Sequence, residues 1–167
     1  MAAYSTWMNG RMLSLCGQLT DAERKRDLGA FFKSIHGTFD HLIYGDVSWM
    51  GRSTGSPIAG KRIVGVPYES WDELAAARRA MDTRMEEWAA GVTEEWLAES
   101  MSYVSVNDGK TRILPRWVLV THMFNHGTHH RGQLTALMKQ LGIEPGVTDL
   151  PWLPALYDGT VLNATEM

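Results

Sequence analysis

The sequence predicts an all-α protein: a four-helix bundle with a short β-hairpin before the last long helix. Three observations carry this expectation. Apolar residues recur at three- and four-residue spacing in four long stretches. Helix-capping signals stand at the ends of several of them. Clear period-two alternation is confined to one short segment around an Asn-Asp-Gly turn. The chain has 167 residues, 44 % hydrophobic and 21 % charged, values ordinary for a globular protein. One domain over residues 1–167 is therefore expected.

The first helix is expected over residues 4 to about 19, where Tyr4, Trp7, Met8, Met12, Leu15, Cys16 and Leu19 share a face. Thr20 and Glu23 have capping-box spacing, so a short helical turn is expected to follow. The second long helix is expected from about Gly29 to Met50, with Phe32, Ile35, Phe39, Leu42, Ile43 and Trp49 as its apolar positions. Ser34, Thr38, His41, Gly45 and Ser48 form a second stripe on it, of small or polar residues. Glycine inside a helix costs about 1 kcal/mol relative to alanine. Gly37 and Gly45 flank His41 by one turn each way, which suggests that something approaches this part of the helix closely.

A Gly/Pro-punctuated loop follows the second helix. It holds Gly55 and then Gly60-Lys61, but Arg62 stands where a phosphate loop needs a hydroxyl residue. No strand precedes it, so a phosphate site is set aside. Ser70 and Glu73 then open a third helix, with Leu74, Ala77, Met81, Met85 and Trp88 inward. Arg78, Arg79, Asp82, Glu86 and Glu87 are expected on its solvated face. The hairpin falls in residues 101–114. The fourth helix runs from about Pro115 to Leu141 and stops at Gly142, a C-terminal capping residue. The tail, with three prolines and two large aromatics between 143 and 159, is expected to pack over one end of the bundle.

The bulk numbers exclude several function classes. A net charge of −3 argues against a nucleic-acid partner, since phosphate neutralisation needs a basic face. The single Cys16 cannot form an internal disulfide. No stretch approaches the roughly 20 apolar residues of a membrane span, and the N-terminus lacks the order of a signal peptide. The expectation is a cytoplasmic protein without a membrane partner.

The histidines are the informative residues. "FNHGTHHRGQ", residues 124–133, holds three of the six in the chain. His122, His126 and His130 follow one another at four-residue spacing on one face. His126 and His130 are neighbours able to share an ion. His122 and His130 lie about 12 Å apart along the axis, so all three cannot bind one ion. A third ligand must then come from another helix. His36 and His41 are the candidates, and about 140° around the axis separates them. His41 lies on the stripe of small residues, where a pocket can form, and is selected.

Three neutral imidazoles around one divalent ion, with positions left for water or substrate, is the form of a catalytic zinc site. Spacing alone leaves a second reading open, a polar seam hydrogen-bonded within the bundle. His36 and His129 are read as non-ligands. A di-iron carboxylate bundle needs Glu-x-x-His on two helices, and a zincin needs Glu between the paired histidines. The chain has neither.

"GAFFKSIHGTFDHLIYGDVSWMGR" followed by "HMFNHGTHHRGQLTALMKQLG" resembles the DinB family, also called the DinB/YfiT-like superfamily. The likeness extends from about Tyr4 to Leu153. It implies a four-helix bundle, often a homodimer, and a divalent metal, usually nickel or zinc. Carried over residue by residue, the family's three histidine ligands fall on His41, His126 and His130. Members of the wider superfamily act as thiol-dependent S-transferases or as isomerases using low-molecular-weight thiols. The family name records damage induction and does not establish DNA binding.

Three neutral ligands leave the ion's charge uncompensated. Such a centre lowers the pKa of a bound water to about 7 or deprotonates a bound thiol. The expected function is therefore a metal-dependent enzyme acting on a small electrophilic substrate, by thiol transfer or hydrolysis. The alternative is a metal- or ligand-binding dimer without turnover, a sensor or scaffold. Gln133, three residues past His130, is expected to support that histidine. Asp46, five residues past His41, is a candidate acceptor for a ligand histidine, but a structural role is favoured for it and for Arg131, as a cap or as a pair with each other. Asn125 and His122 are candidates for polar groups of the pocket, and Cys16 is read as packing rather than as a nucleophile.

Overall fold

Four long helices carry the fold: α1 (Ala2–Cys16), α3 (Ile35–Ser53), α4 (Trp71–Ala90) and α6 (Arg116–Gln140). The computed structural model describes residues 1–56, 68–105 and 108–156. Among these lie two short helices, α2 (Asp21–Lys25) and α5 (Glu94–Ala98), and the strands β1 (Ser100–Val104) and β2 (Thr111–Pro115). Helix α1 packs on α4 and α6, and α3 packs on the same two, so the four close into a bundle. The strands pair antiparallel, Ser100 opposite Pro115 and Val104 opposite Thr111. Gly60, Lys61 and Arg62, with most of the Gly/Pro-punctuated loop, lie outside the described residues.

The capping signals locate the helix starts. Thr20 and Glu23 complete a capping box at α2, and the Ser70 side chain accepts from the Glu73 backbone N–H at α4. Gly142 follows α6 with φ of 76°, the left-handed conformation that ends a helix at low cost in glycine. Thr93 caps α5 by accepting from the Trp96 N–H, a short helix that apolar periodicity is too brief to reveal.

Helix α3 begins at Ile35, not at Gly29. Lys33 has φ of 68°, which a right-handed helix does not contain. Ser34 then caps α3, its hydroxyl accepting from Gly37 N–H at 3.0 Å. A Cβ at Gly37 would run into the Phe32 carbonyl, so this entry turn needs glycine there. Phe32 therefore leaves the helix and its expected place among the helical apolar positions.

The core has two apolar clusters. One gathers Met8, Met12 and Cys16 of α1, Phe39 and Leu42 of α3, Leu74 of α4 and Leu134 of α6. The other holds Ala2, Met50, Met81, Met85 and Met123 at the opposite end. Buried polar side chains also lie within the bundle, on all four long helices. Arg78 is fully buried; it donates to Asp46 at 2.6 Å and to Asp82 at 2.8 Å. Asn9 of α1 donates to Asp82 at 2.8 Å. Arg131 of α6 is also buried, its guanidinium 5.3 Å from the Tyr4 ring.

These residues correct the expectation for α4. Arg79, Glu86 and Glu87 are exposed, but Arg78 and Asp82 are buried. A buried ion pair offsets its desolvation only where geometry and further hydrogen bonds are good, and Asp46, Asp82 and Asn9 provide them.

Beyond α6, the chain turns back along α1. The Tyr4 hydroxyl donates to Thr148 O at 2.5 Å, Arg11 donates to Val147 O at 2.6 Å, and Leu153 is buried in the first cluster.

Candidate metal centre

Helices α3 and α6 lie side by side, and their facing surfaces carry the histidines. Close approach is built into α3. A Cβ at Gly45 would stand 2.8 Å from His126 Cε1, well inside van der Waals contact. The absent side chain lets the His126 ring lie against the α3 backbone, one turn beyond His41.

His41, His126 and His130 each offer a ring nitrogen, and the three nitrogens lie within 4.8 Å of one another. His126 Nε2 is 3.2 Å from His41 Nε2 and 3.1 Å from His130 Nε2. A tetrahedral ion with ligands at 2.0–2.1 Å holds its nitrogens roughly 3.3 Å apart. A single imidazole nitrogen carries either one proton or one lone pair. Hydrogen bonding accounts for one of these two contacts at a time, whereas a shared cation accounts for both. The donor set therefore fits a divalent ion.

The electrostatics agree. Burial, followed by the neighbouring histidines, lowers the His126 pKa to about 4. Burial also lowers that of His130, against a hydrogen bond donated to Gln133 that raises it. Both rings are neutral at neutral pH, as ligation requires. His130 Nδ1 lies 2.7 Å from Gln133 Oε1. This contact makes Nδ1 the protonated nitrogen and turns Nε2 toward the centre. Phe32 stacks on the His41 ring, centroids 3.8 Å apart and planes inclined by 17°.

The histidines line a cavity of about 450 Å³. Tyr44, Ser48, Trp49 and Arg52 of α3 continue its wall, with Phe31 and Phe32 at the other side of His41.

A model of the DinB family matches residues 1–160. The chain belongs to the DinB family. Among curated relatives, Protein DinB of Bacillus subtilis (strain 168) is 23 % identical over 154 residues, which cover 87 % of each chain. Among solved structures, a DinB-like protein from Bacillus cereus ATCC 10987 is 25 % identical, with a TM-score of 0.65; the match covers 86 % of this chain and 91 % of that one.

Against this DinB frame, the remaining candidates sort clearly. His36 Nε2 lies 2.7 Å from Tyr68 O, away from the cluster. His129 lines the cavity and lies 3.3 Å from Gln133 Nε2. His122 also lines the cavity, edge-on to Trp49 at 4.8 Å. Asn125 is exposed and is not part of the lining. Asp46 is bound by Arg78, so its role is structural, with Arg78 rather than Arg131 as its ion-pair partner. Cys16 is fully buried, and burial pushes its thiol up to about 12, which removes it as a nucleophile.

Sequence reasoning missed Phe32 as a partner of His41, and Arg52 as part of the cavity wall. Arg52 had a signal. The stripe of His41, Gly45 and Ser48 continues by one more step to residue 52.

Proposed function

We propose that this DinB-family chain is a metal-dependent enzyme that holds a divalent ion with His41, His126 and His130. The observation that carries the reading is the convergence of three imidazoles on the wall of an open cavity. The ion proposed is nickel or zinc, as the family resemblance implies, and imidazole donors suit both. When bound, it supplies Lewis acidity, which favours the deprotonated form of a water or thiol beside it.

The chain's own residues do the rest. Gln133 holds the His130 ring in the tautomer that presents Nε2. Phe32 covers one face of His41 and keeps water from that side. Lining histidines and aromatics leave room for a small substrate. The reaction class that fits is transfer of a low-molecular-weight thiol to a small electrophile, or hydrolysis of one. A homodimer working in the cytoplasm is proposed with it, on the family resemblance.

Metal analysis of the purified full chain tests the ligand set. His41→Ala and His126→Ala should each lose most of the metal that wild type retains. Equal metal content in wild type and either variant overturns the assignment. The metal-loaded protein should then turn over in a screen of cellular thiols against electrophiles. Bound metal with no turnover across that screen sinks the enzyme reading.

A further inference from the structure

The cavity beside the histidines is charged in one sense only. No aspartate or glutamate among the described residues lines it, although the chain carries 19 of them and is net −3. A second groove shares Trp49, Arg52 and His122 with it, reaches Tyr103 and Arg112 of the hairpin, and has no acidic lining residue among the described residues either. The two arginines differ. Arg112 is neutralised by a bidentate pair with Asp108, at 2.9 and 2.8 Å. Arg52 has no carboxylate within ion-pair range among the described residues.

The Arg52 side chain is nevertheless held in place. Its guanidinium lies 4.9 Å from the Trp49 ring centroid, and Nη1 donates to Ser48 O at 3.0 Å and to Ser48 Oγ. It also lies 6.0 Å from the Tyr103 ring centroid, and the hydrogen bonds to Ser48 use one nitrogen. The other donors of the planar fork remain for a ligand, and such a fork matches a carboxylate. The bonds to Ser48 set the head group back by one turn. It therefore stands about 10 Å along the α3 axis from His41, at 1.5 Å per residue. Tyr44 and Trp49 line the space between.

We propose that the cavity takes a small amphipathic molecule bearing a carboxylate, and that Arg52 binds that carboxylate while the rest of the molecule runs along the aromatic wall toward the histidines. This assigns a substrate class to the proposed metal centre and rests on that reading for which end reacts. A cation with no carboxylate partner among the described residues, in a partly desolvated cavity, discriminates for an anion, because a charge-assisted hydrogen bond is stronger than a neutral one. A neutral molecule of the same shape leaves the guanidinium without that partner.

Titration of the full chain with 4-phenylbutyrate and with 4-phenyl-1-butanol, followed by ligand-observed NMR before and after chelation of metal, tests the proposal. Wild type should prefer the carboxylate on the order of tenfold or more in both forms. Arg52→Gln should bind the two alike, with its affinity for the alcohol and its metal content unchanged. Arg52→Lys should keep part of the preference. Equal binding of the two probes by wild type overturns the proposal. So does a preference that survives Arg52→Gln, including one present only with metal, which would place the carboxylate on the ion. Failure of the metal reading shows separately, as unchanged metal content in His41→Ala beside an intact Arg52-dependent preference.

Discussion

Gly45 of α3 and His126 of α6 are in contact across the bundle, with the missing glycine side chain occupied by the imidazole: a Cβ there would stand 2.8 Å from His126 Cε1. The pair sets how closely the two histidine-bearing helices approach. Gly45→Ala should therefore displace the His126 ring and weaken metal binding by tenfold or more, roughly 1.4 kcal/mol, in a protein that still folds. Gly132→Ala is the control, because nothing lies within 4 Å of its added Cβ. It should stabilise α6 by about 0.5–1 kcal/mol and leave metal affinity alone. Metal titration with thermal unfolding of both variants decides the matter; wild-type affinity in Gly45→Ala would show that the close approach is not needed.

Gln133 accepts from His130 Nδ1 at 2.7 Å and so selects which nitrogen faces the centre. Removing such a partner lowers metal affinity by about 10- to 100-fold in comparable sites. Gln133→Leu should do so, while Gln133→Glu, which keeps an acceptor, should retain most of the affinity. Competition with a chelator reads the difference. Identical affinities in the two variants would remove Gln133 from the site.

Arg78 has no exposed surface, and two carboxylates depend on it. Burial pushes both Asp46 and Asp82 upward in pKa, and the Arg78 charge works against that. Arg78→Met leaves both carboxylates buried without their cation. Breaking a buried pair from one side costs about 3–5 kcal/mol. Urea unfolding should show a loss of that size at neutral pH. A loss under 1 kcal/mol would mean that these buried groups relax or admit water.

Cys16 provides the pH dependence. Its pKa rises from 9.0 to about 12 on burial, so the folded state keeps the thiol proton more tightly than the unfolded chain does. The stability linked to this proton is complete below pH 9 and is lost as pH rises from 9 towards 12. Between pH 8 and 10 the loss is about 1.4 kcal/mol. Cys16→Ala should lack this increment, whatever its constant packing cost, when unfolding free energies at the two pH values are compared. Thiol reagents at pH 8 should label wild type only as it unfolds. Rapid labelling of the native protein would contradict the burial.

The bundle was legible because each helix announces itself locally. Ser70 with Glu73, Thr20 with Glu23, and Gly142 are capping signals that act within a few residues, and the structure uses all of them. The start of α3 was not legible in the same way. Phe32 continues the apolar spacing of that helix, yet the left-handed Lys33 separates it from Ser34. Hydrophobic period reports a face and is blind to the backbone turn that ends it. Arg78 and Asp82 misled for the opposite reason. Polar residues at helical spacing look solvated until their partners, Asp46 and Asn9, arrive from other helices.

The sequence by itself determined which residues share a face of one helix. It placed His126 beside His130, put His41 on a stripe with Gly45, and made the chain recognisable as DinB-like. Only the tertiary structure decided which faces meet. The approach of α3 to α6 brings the ring of residue 41 within 3.2 Å of that of residue 126, turns a stripe of small residues into a cavity wall, and buries an arginine between two aspartates. The physical reason is that helical periodicity is a property of 3.6 residues per turn within one segment. Convergence of groups 85 residues apart depends on how complete faces pack, and on which absent side chains let backbones come close.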